Sequence, residues 1–458
     1  MSDYKLRRVV GFNELLIYSI GVIFGAGIYA LIGKAAGATG PSVWLSFLFA
    51  AIIASFTGLS YAELASIKST TSAEYTYTKL GFGSRRAAFV VSWLINAVNI
   101  TSITTVALGF AGYFVSLFAP GIADSALISF SEVIVTPVVL VAICLIGTFA
   151  FVNYMGIKKL VKFNMVFTAA EALGLMMIIT IGGLHFAGGG AAPNLLEMPF
   201  GISGMFSAVA LIFFAYLGFE GLANLGMEVV DAKKTIPRVM VLSIVITTVV
   251  YVLVALSSVS VISWQELGAS SQPLADVADT VLGNKGGLVL SFIALFATAN
   301  TVLILITGSS RVLYGMAKDG SLPSPLRDVS KRRRTPFKAI IIVSMIAAAA
   351  CFLKSIELVA ELTTLGVFIV FAVINLSLIR IRFVDKLPKD RFKSPLNVGR
   401  FPVLAGLGIV SCAWMISTYV VKFTPSGVFF EALNPAVVLV IMEIATGFIA
   451  YKLLNRNG

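Results

Sequence analysis

Charge is scarce in this chain. Asp, Glu, Lys and Arg make up 12% of its 458 residues, against roughly 25% in soluble domains. Histidine occurs once, as His185, and cysteine three times. A single histidine excludes a multi-histidine metal centre, and no metal or other cofactor is expected. Cys144, Cys351 and Cys412 lie within apolar runs and form no motif, so they read as small buried hydrophobes. No Walker-type phosphate loop is present, which excludes an ATP-driven pump that relies on one. No aspartate falls well inside an apolar run, and His185 sits at the end of one. Paired aspartates or a serine–histidine set for intramembrane catalysis are therefore missing, and an enzyme is not expected.

What is abundant is apolar: 58% of residues are hydrophobic and the mean hydropathy is +0.96. A bilayer crossing needs about 20 residues, and the runs resolve into twelve spans. They are Phe12–Ile32, Ser42–Ile67, Ala87–Phe118, Val133–Phe151, Leu160–Leu184, Gly204–Met227, Val239–Ile262, Gly287–Met316, Ala339–Phe352, Leu358–Ile379, Val403–Val421 and Pro435–Leu454. No convincing small-x-small cleavage site follows the first run, which is expected to remain as a span. With the N-terminus inside, only Lys34, Lys285, Lys354 and Lys422 of the 34 Lys and Arg residues fall outside. That asymmetry follows the positive-inside rule and predicts cytoplasmic termini in a cell-membrane protein. The net charge of +12, including Lys331-Arg332-Arg333-Arg334, then reads as topology anchoring and not as a nucleic-acid surface. The loops are too short for a soluble domain, and Gln272–Leu282 is the one connection that suggests a surface helix.

Two spans are interrupted. The first, "IGVIFGAGIYALIG", carries Gly25-Ala26-Gly27 in its middle, and the sixth, "GMFSAVALIFFAYLGFEGLANLGMEVV", carries Gly218, Glu220 and Gly221. Glycine in a helix interior costs about 1 kcal/mol against alanine. Gly25-x-Gly27-x-x-Ala30 imitates a dinucleotide fingerprint, but that motif needs a preceding strand and a soluble βαβ unit. Here a second span follows instead. A helix-packing notch or a functional break remains, and interrupted helices in corresponding halves point to a transporter site.

The two breaks have complementary chemistry. The outer half of the first span begins near Ala26-Gly27-Ile28, where free N–H groups and the positive dipole end favour a carboxylate. Glycine lets that backbone approach closely. The outer half of the sixth span ends near Phe214-Ala215-Tyr216-Leu217, where free carbonyls suit an ammonium group. Together they describe a receptor for the backbone of an α-amino acid.

At these residues the chain resembles the amino acid–polyamine–organocation superfamily over essentially its full length. "GVIFGAGIYALIG" is similar to that family's first-helix motif. "FFAYLGFEGLANLGMEVVDAKKTIPR" is similar to its sixth-helix stretch, and "GSSRVLYGMAKDGSLP" to the sequence after its eighth helix, the most specific of the three. The resemblance implies an all-α integral membrane fold of twelve transmembrane helices. It would be one membrane domain with an inverted five-plus-five repeat, residues 12–184 and 204–379, broken helices one and six, and two extra helices at 403–454. It implies alternating access. Carried over by position, it puts the carboxylate cradle on Gly25, Ala26 and Gly27, beside Ile23 and Ile28. The amine-binding carbonyls fall on Phe214, Ala215 and Leu217, and the pocket-lining position of helix eight on Thr298, near Asn300. Relatives often have Pro where this chain has Ala232, and proton-linked ones often have Lys where it has Glu171, so the coupling chemistry is not simply inherited.

Glu171 lies about 17 Å into its span at 1.5 Å per residue. An ionisable group at that depth is expensive and functional by default. It is expected to carry the coupling proton, or with Asn300 and Thr301 to ligate Na⁺. Glu220 is expected to lock the broken sixth span through backbone N–H groups or to take part in proton movement. Glu63, Glu228 and Asp319, near the cytoplasmic ends, are expected to pair with Arg or Lys as an inner latch. The expectation is a monomeric, proton-coupled secondary transporter that imports L-α-amino acids. A cationic amino-acid or polyamine exchanger and a sodium-coupled symporter are the alternatives.

Overall fold

The computed structural model describes residues 5–119, 128–130, 133–190, 193–270, 272–352, 356–384, 387–424, 427–430 and 435–454. Lys354, one of the four outer lysines, lies outside them. Two helices, α1 (Phe12–Phe24) and α2 (Ala26–Thr39), share the first span and meet at Gly25. The second span is α3 (Val43–Ile67). A short helix, α4 (Ala73–Phe82), leads into α5 (Arg85–Phe118), α6 (Pro137–Tyr154) and α7 (Ile157–Ala187). The sixth span is α8 (Gly201–Tyr216), continued by a 3₁₀ turn over Phe219–Leu225, and the seventh is α9 (Ala232–Val261). Short helices α10 (Trp264–Ala269) and α11 (Pro273–Leu282) precede α12 (Asn284–Lys318), α13 (Phe337–Ala350), α14 (Ile356–Val384), α15 (Val403–Val420) and α16 (Pro435–Leu454).

Among the described residues ten segments are long and apolar enough to cross a bilayer, and the shorter apolar helices α13 and α15 complete the expected twelve. At 1.5 Å per residue α13 reaches only about 21 Å. Most helices run a few residues past the expected limits, and in two places an expected span end is strand instead. Val133–Val135 is not helical but pairs with Ile128–Phe130 as a hairpin, and the fourth span starts at Pro137. Proline suits the first helical turn because no hydrogen bond is asked of its nitrogen, and the Thr136 side chain accepts from the Val139 N–H at 3.4 Å. At the eleventh span, Val421–Thr424 leaves the helix to pair with Gly427–Phe430. One cysteine also differs: Cys144 is exposed on α6, while Cys351 and Cys412 are buried.

The neighbour relations recur when each of spans one to five is exchanged with the span five places later. The pairing of α1 with α9 is matched by that of α8 with α3, and α7 with α9 by α14 with α3. Likewise α7 with α12 is matched by α14 with α5, and α6 with α12 by α13 with α5. Even the short helices correspond, since α4 packs on α5 and α14 while α11 packs on α12 and α7. Five is odd, so the second set starts on the opposite side of the bilayer from the first, and the two sets are inverted. Helix faces divide accordingly. On α7, Val166, Leu173 and Met176 are exposed as lipid-facing residues would be, whereas Asn164, Thr168 and Glu171 are buried.

Candidate functional site

Both interruptions are real backbone breaks. Gly25 leaves helical geometry at φ −14°, ψ −162°, ending α1 and preceding α2. In the sixth span Leu217 is extended at φ −65°, ψ 153°, and Gly218 is left-handed at φ +115°. A side chain at Gly218 would be strained there and would also run into Val22 of α1. The breaks lie side by side. A Cβ on Gly27 would stand 2.6 Å from the Ala215 Cα, so the start of α2 and the end of α8 touch backbone to backbone. The close-packing position Gly27 thus lies two residues from the backbone break at Gly25.

A cavity of about 80 Å³ opens where they meet. Ile23, Gly25 and Gly27 line it from the first span, and Phe214, Ala215, Leu217, Gly218 and Glu220 from the sixth. Ile28 is fully buried but away from the cavity wall, and Thr298 is turned into its own helix, donating to the Ala294 and Leu295 carbonyls at 2.9 and 3.1 Å. The wall from α12 is made by Thr301, Ile304 and Leu305. Ala26 begins α2, where the first N–H groups of a helix have no partner within it. Of the carbonyls at the other break, Phe214 accepts from the Leu217 N–H at 3.2 Å. Glu220 accepts from the Gly218 N–H at 2.8 Å, which closes the broken backbone on itself.

Tyr251, on α9, was not singled out by the sequence. Its hydroxyl faces the Ile23 carbonyl at 2.5 Å and the Ala215 carbonyl at 3.2 Å, so one group ties the last turn of α1 to the last turn of α8. Its ring is fully buried between Phe24, Phe47 and Tyr216. A signal was present: Tyr251 is the one aromatic residue in its span, and a buried tyrosine hydroxyl usually finds a partner.

Behind the first break lies a second polar group. Glu171 is fully buried; Oε1 accepts from Asn300 Nδ2 at 3.0 Å, and Oε2 has no partner. Asn300 Oδ1 accepts from Asn164 Nδ2 at 2.9 Å, and Asn300 Nδ2 also lies 3.5 Å from the Gly21 carbonyl of α1. Asn164 Oδ1 and Thr168 Oγ1 are buried and unpartnered as well. The first span is tied to this cluster again by Tyr29, whose hydroxyl donates to the Glu171 carbonyl at 2.9 Å. Asn164, Thr168 and Glu171 follow a four-then-three spacing, which puts them on one helix face. That spacing was legible, although only Glu171 was picked out from it.

The three acids expected near the cytoplasmic span ends are each ion-paired. Arg311 of α12, fully buried, donates to both Glu228 oxygens at 3.1 and 3.2 Å and to Asn153 at 3.3 Å. Glu63 takes Arg382 of α14 together with Arg391, and Asp319 takes Lys79 of α4 at 2.6 Å. The Glu228 carbonyl also holds the Val9 and Val10 N–H groups. Residues before the first span are thereby fixed to the turn after the sixth.

Comparison with known proteins agrees with this architecture. The family model described as Amino acid permease matches residues 10–446. The branched-chain amino acid permease BcaP of Bacillus subtilis is 27% identical over 428 residues, covering 91% of this chain and 89% of that protein. The methylthioribose transporter of the same organism is 26% identical over 419 residues, 90% of this chain and 88% of that protein. The vacuolar cationic amino acid transporter 2 of Arabidopsis thaliana is 26% identical over 404 residues, 86% of this chain but 62% of that longer protein. With broken helices, a multi-span membrane fold and a match over nearly its whole length, the chain belongs to the amino acid permease family of the amino acid–polyamine–organocation superfamily, a family of transporters and not of enzymes.

Proposed function

We propose that the protein is a secondary active importer of L-α-amino acids that works by alternating access, is driven by protons and keeps both termini in the cytoplasm. The observation that carries this reading is the shared cavity between two opposed helix ends. The substrate carboxylate would sit on the free N–H groups at Ala26 and Gly27, and its ammonium at the carbonyls that close α8. The rest of the wall is largely aliphatic, with Val22, Val98, Val106, Ile304, Leu305 and Val367. A water-sized group needs roughly 10–15 Å³ of such space, so the cavity has room for about five to eight. That is close to the heavy-atom count of alanine to valine. A small aliphatic side chain fits both size and lining, and the name of the Bacillus permease supports the same class. A cationic side chain would meet one acid, Glu220, whose Oε2 is already engaged.

Glu171 is the proposed proton carrier. A neutral buried acid costs far less than a buried carboxylate, so protonation would favour the closed, dry states of the crossing. The unpartnered oxygens of Glu171, Asn164 and Thr168 beside the Gly21 carbonyl also favour a second reading, in which Na⁺ is the coupled ion. The test is uptake of labelled amino acids into proteoliposomes with pH and sodium gradients imposed separately. Saturable accumulation on the pH gradient alone supports the proposal. Accumulation on the sodium gradient alone gives the site to Na⁺, and no uptake of any α-amino acid sinks both readings.

A further inference from the structure

Of the fully buried acids on the side of the termini among the described residues, Glu63 and Glu228 hold an arginine and one does not. Glu74, in the first turn of α4, is fully buried. No cation pairs with it among the described residues, whereas Glu63, Glu228 and Asp319 each hold an Arg or Lys. Its partners are neutral. Tyr61 of α3 donates its hydroxyl to Oε1 at 3.1 Å, and Asn224 of the 3₁₀ turn donates to Oε2 at 3.3 Å. The Asn224 carbonyl oxygen accepts from the Ala73 N–H at 2.6 Å. One amide therefore holds both the Glu74 carboxyl and the first residue of α4 against the continuation of the broken sixth span.

The remaining charges around α4 do not compensate Glu74. Tyr77 of the same helix lies with its ring 6.2 Å from that of Tyr61, and Glu220 of the 3₁₀ turn is an acid within electrostatic reach. Lys79 is committed to Asp319, which also accepts from Tyr75 at 2.7 Å. Arg380 of α14 donates to the Gly81 carbonyl at 3.0 Å, at the far end of the helix, and Arg85 acts on Asp319. Burial pushes the Glu74 carboxyl above the ordinary carboxylate range, against the hydrogen bonds of its own backbone, Asn224 and Tyr61. At Asp319 burial acts the same way, but Lys79, Tyr75 and Arg85 outweigh it and hold that group below its usual range.

We infer that Glu74 is a second proton-binding site, built into the gate on the side of the termini. Its carboxyl is neutral while α4 is docked on Phe219–Leu225, and it gives its proton to water when α4 moves away. The inference deepens the proton-driven reading and rests on it for the role in transport, although the coupling of α4 docking to pH stands by itself. The sign follows from linkage. The docked carboxyl has the higher pKa, so docking is fully favoured below the hydrated value of about 4.3. It loses ground as pH rises toward the docked value, by at most tenfold per pH unit for one proton.

The experiment is hydrogen exchange of the 73–82 backbone in the reconstituted full-length protein between pH 5 and 9, corrected for the intrinsic exchange rate. Wild-type protection is expected to fall with rising pH by up to tenfold per unit across the Glu74 titration. Glu74→Gln, always neutral, should give a flat and highly protected profile. Glu74→Asp keeps the charge but shortens its reach, so it should keep the slope with a moved midpoint. A wild-type slope that survives in Glu74→Gln overturns the inference, as does a flat wild-type profile. If Glu74→Gln fails to fold, an unchanged midpoint in Glu74→Asp overturns it equally. A slope lost in Glu74→Gln, in a protein whose uptake ignores pH gradients, would leave this site standing and remove the proton-driven reading. Proton-driven uptake with an unaltered slope would do the reverse.

Discussion

Removing one oxygen atom, in Tyr251→Phe, tests whether the two breaks work as one site. The ring stays packed between Phe24, Phe47 and Tyr216, so the change is confined to the hydroxyl. What is lost is the donor shared by the Ile23 carbonyl at 2.5 Å and the Ala215 carbonyl at 3.2 Å. A buried acceptor left without its partner costs about 1–3 kcal/mol. The shorter of the two bonds carries most of this, and water from the adjoining cavity can recover part. The net effect is then about 1–2 kcal/mol, or a factor of about 5–30. Because the hydroxyl fixes the spacing between a carboxylate site and an ammonium site, that factor should appear in the dissociation constant of the transported amino acid. Equilibrium binding of labelled substrate to the purified variant measures it, with a thermal melt alongside. Weakened binding with little loss of thermal stability is the expected pattern. Wild-type affinity would show that the Tyr251 hydroxyl does not organise the site.

Glu171→Gln should keep substrate exchange across the membrane but lose accumulation driven by a pH gradient; a variant that still concentrates substrate on protons alone makes Glu171 structural. Gly27→Val, and to a lesser degree Gly27→Ala, should abolish binding in a protein that still purifies as a folded species, because the added Cβ meets Ala215 at 2.6 Å from its Cα. Gly221→Ala, with nothing within 4 Å of the added carbon, should bind normally, and equal losses at both positions would remove the close-approach argument. The amide, the methyl ester and the deaminated analogue of a transported amino acid should each compete poorly, since each loses one of the two charges. Equal inhibition by the ester would mean that the carboxylate is not read at Ala26 and Gly27. Arg311→Met leaves Glu228 buried without its cation, at a cost of about 3–5 kcal/mol, visible as a lowered melting temperature. Adding Glu228→Gln should recover much of it, and a single variant as stable as wild type would show that the pair does not hold the turn.

Composition and run length alone determined the solvent and the number of crossings, because a bilayer tolerates few charges and demands a minimum apolar length. Gly25-Ala26-Gly27 and Gly218-Phe219-Glu220 likewise announced their breaks locally, since glycine weakens a helix wherever it sits. Glu63, Glu228 and Asp319 were legible as latch acids by their place at span ends, but their partners Arg382, Arg311 and Lys79 stand 319, 83 and 240 residues away. Nothing local specifies such pairs. The facing of each helix was equally out of reach. Thr298 and Thr301 are less than one turn apart, and only packing against the first and sixth spans decides that Thr301 meets the cavity while Thr298 bonds its own helix. Tyr251 and Glu74 are the clearest cases. In the sequence one is a tyrosine in an apolar run and the other an acid in a short loop helix. Their meaning comes from partners that the fold brings from distant parts of the chain, the Ile23 and Ala215 backbone carbonyls for Tyr251 and the Asn224 side-chain amide for Glu74, and no local sequence pattern marks those pairings.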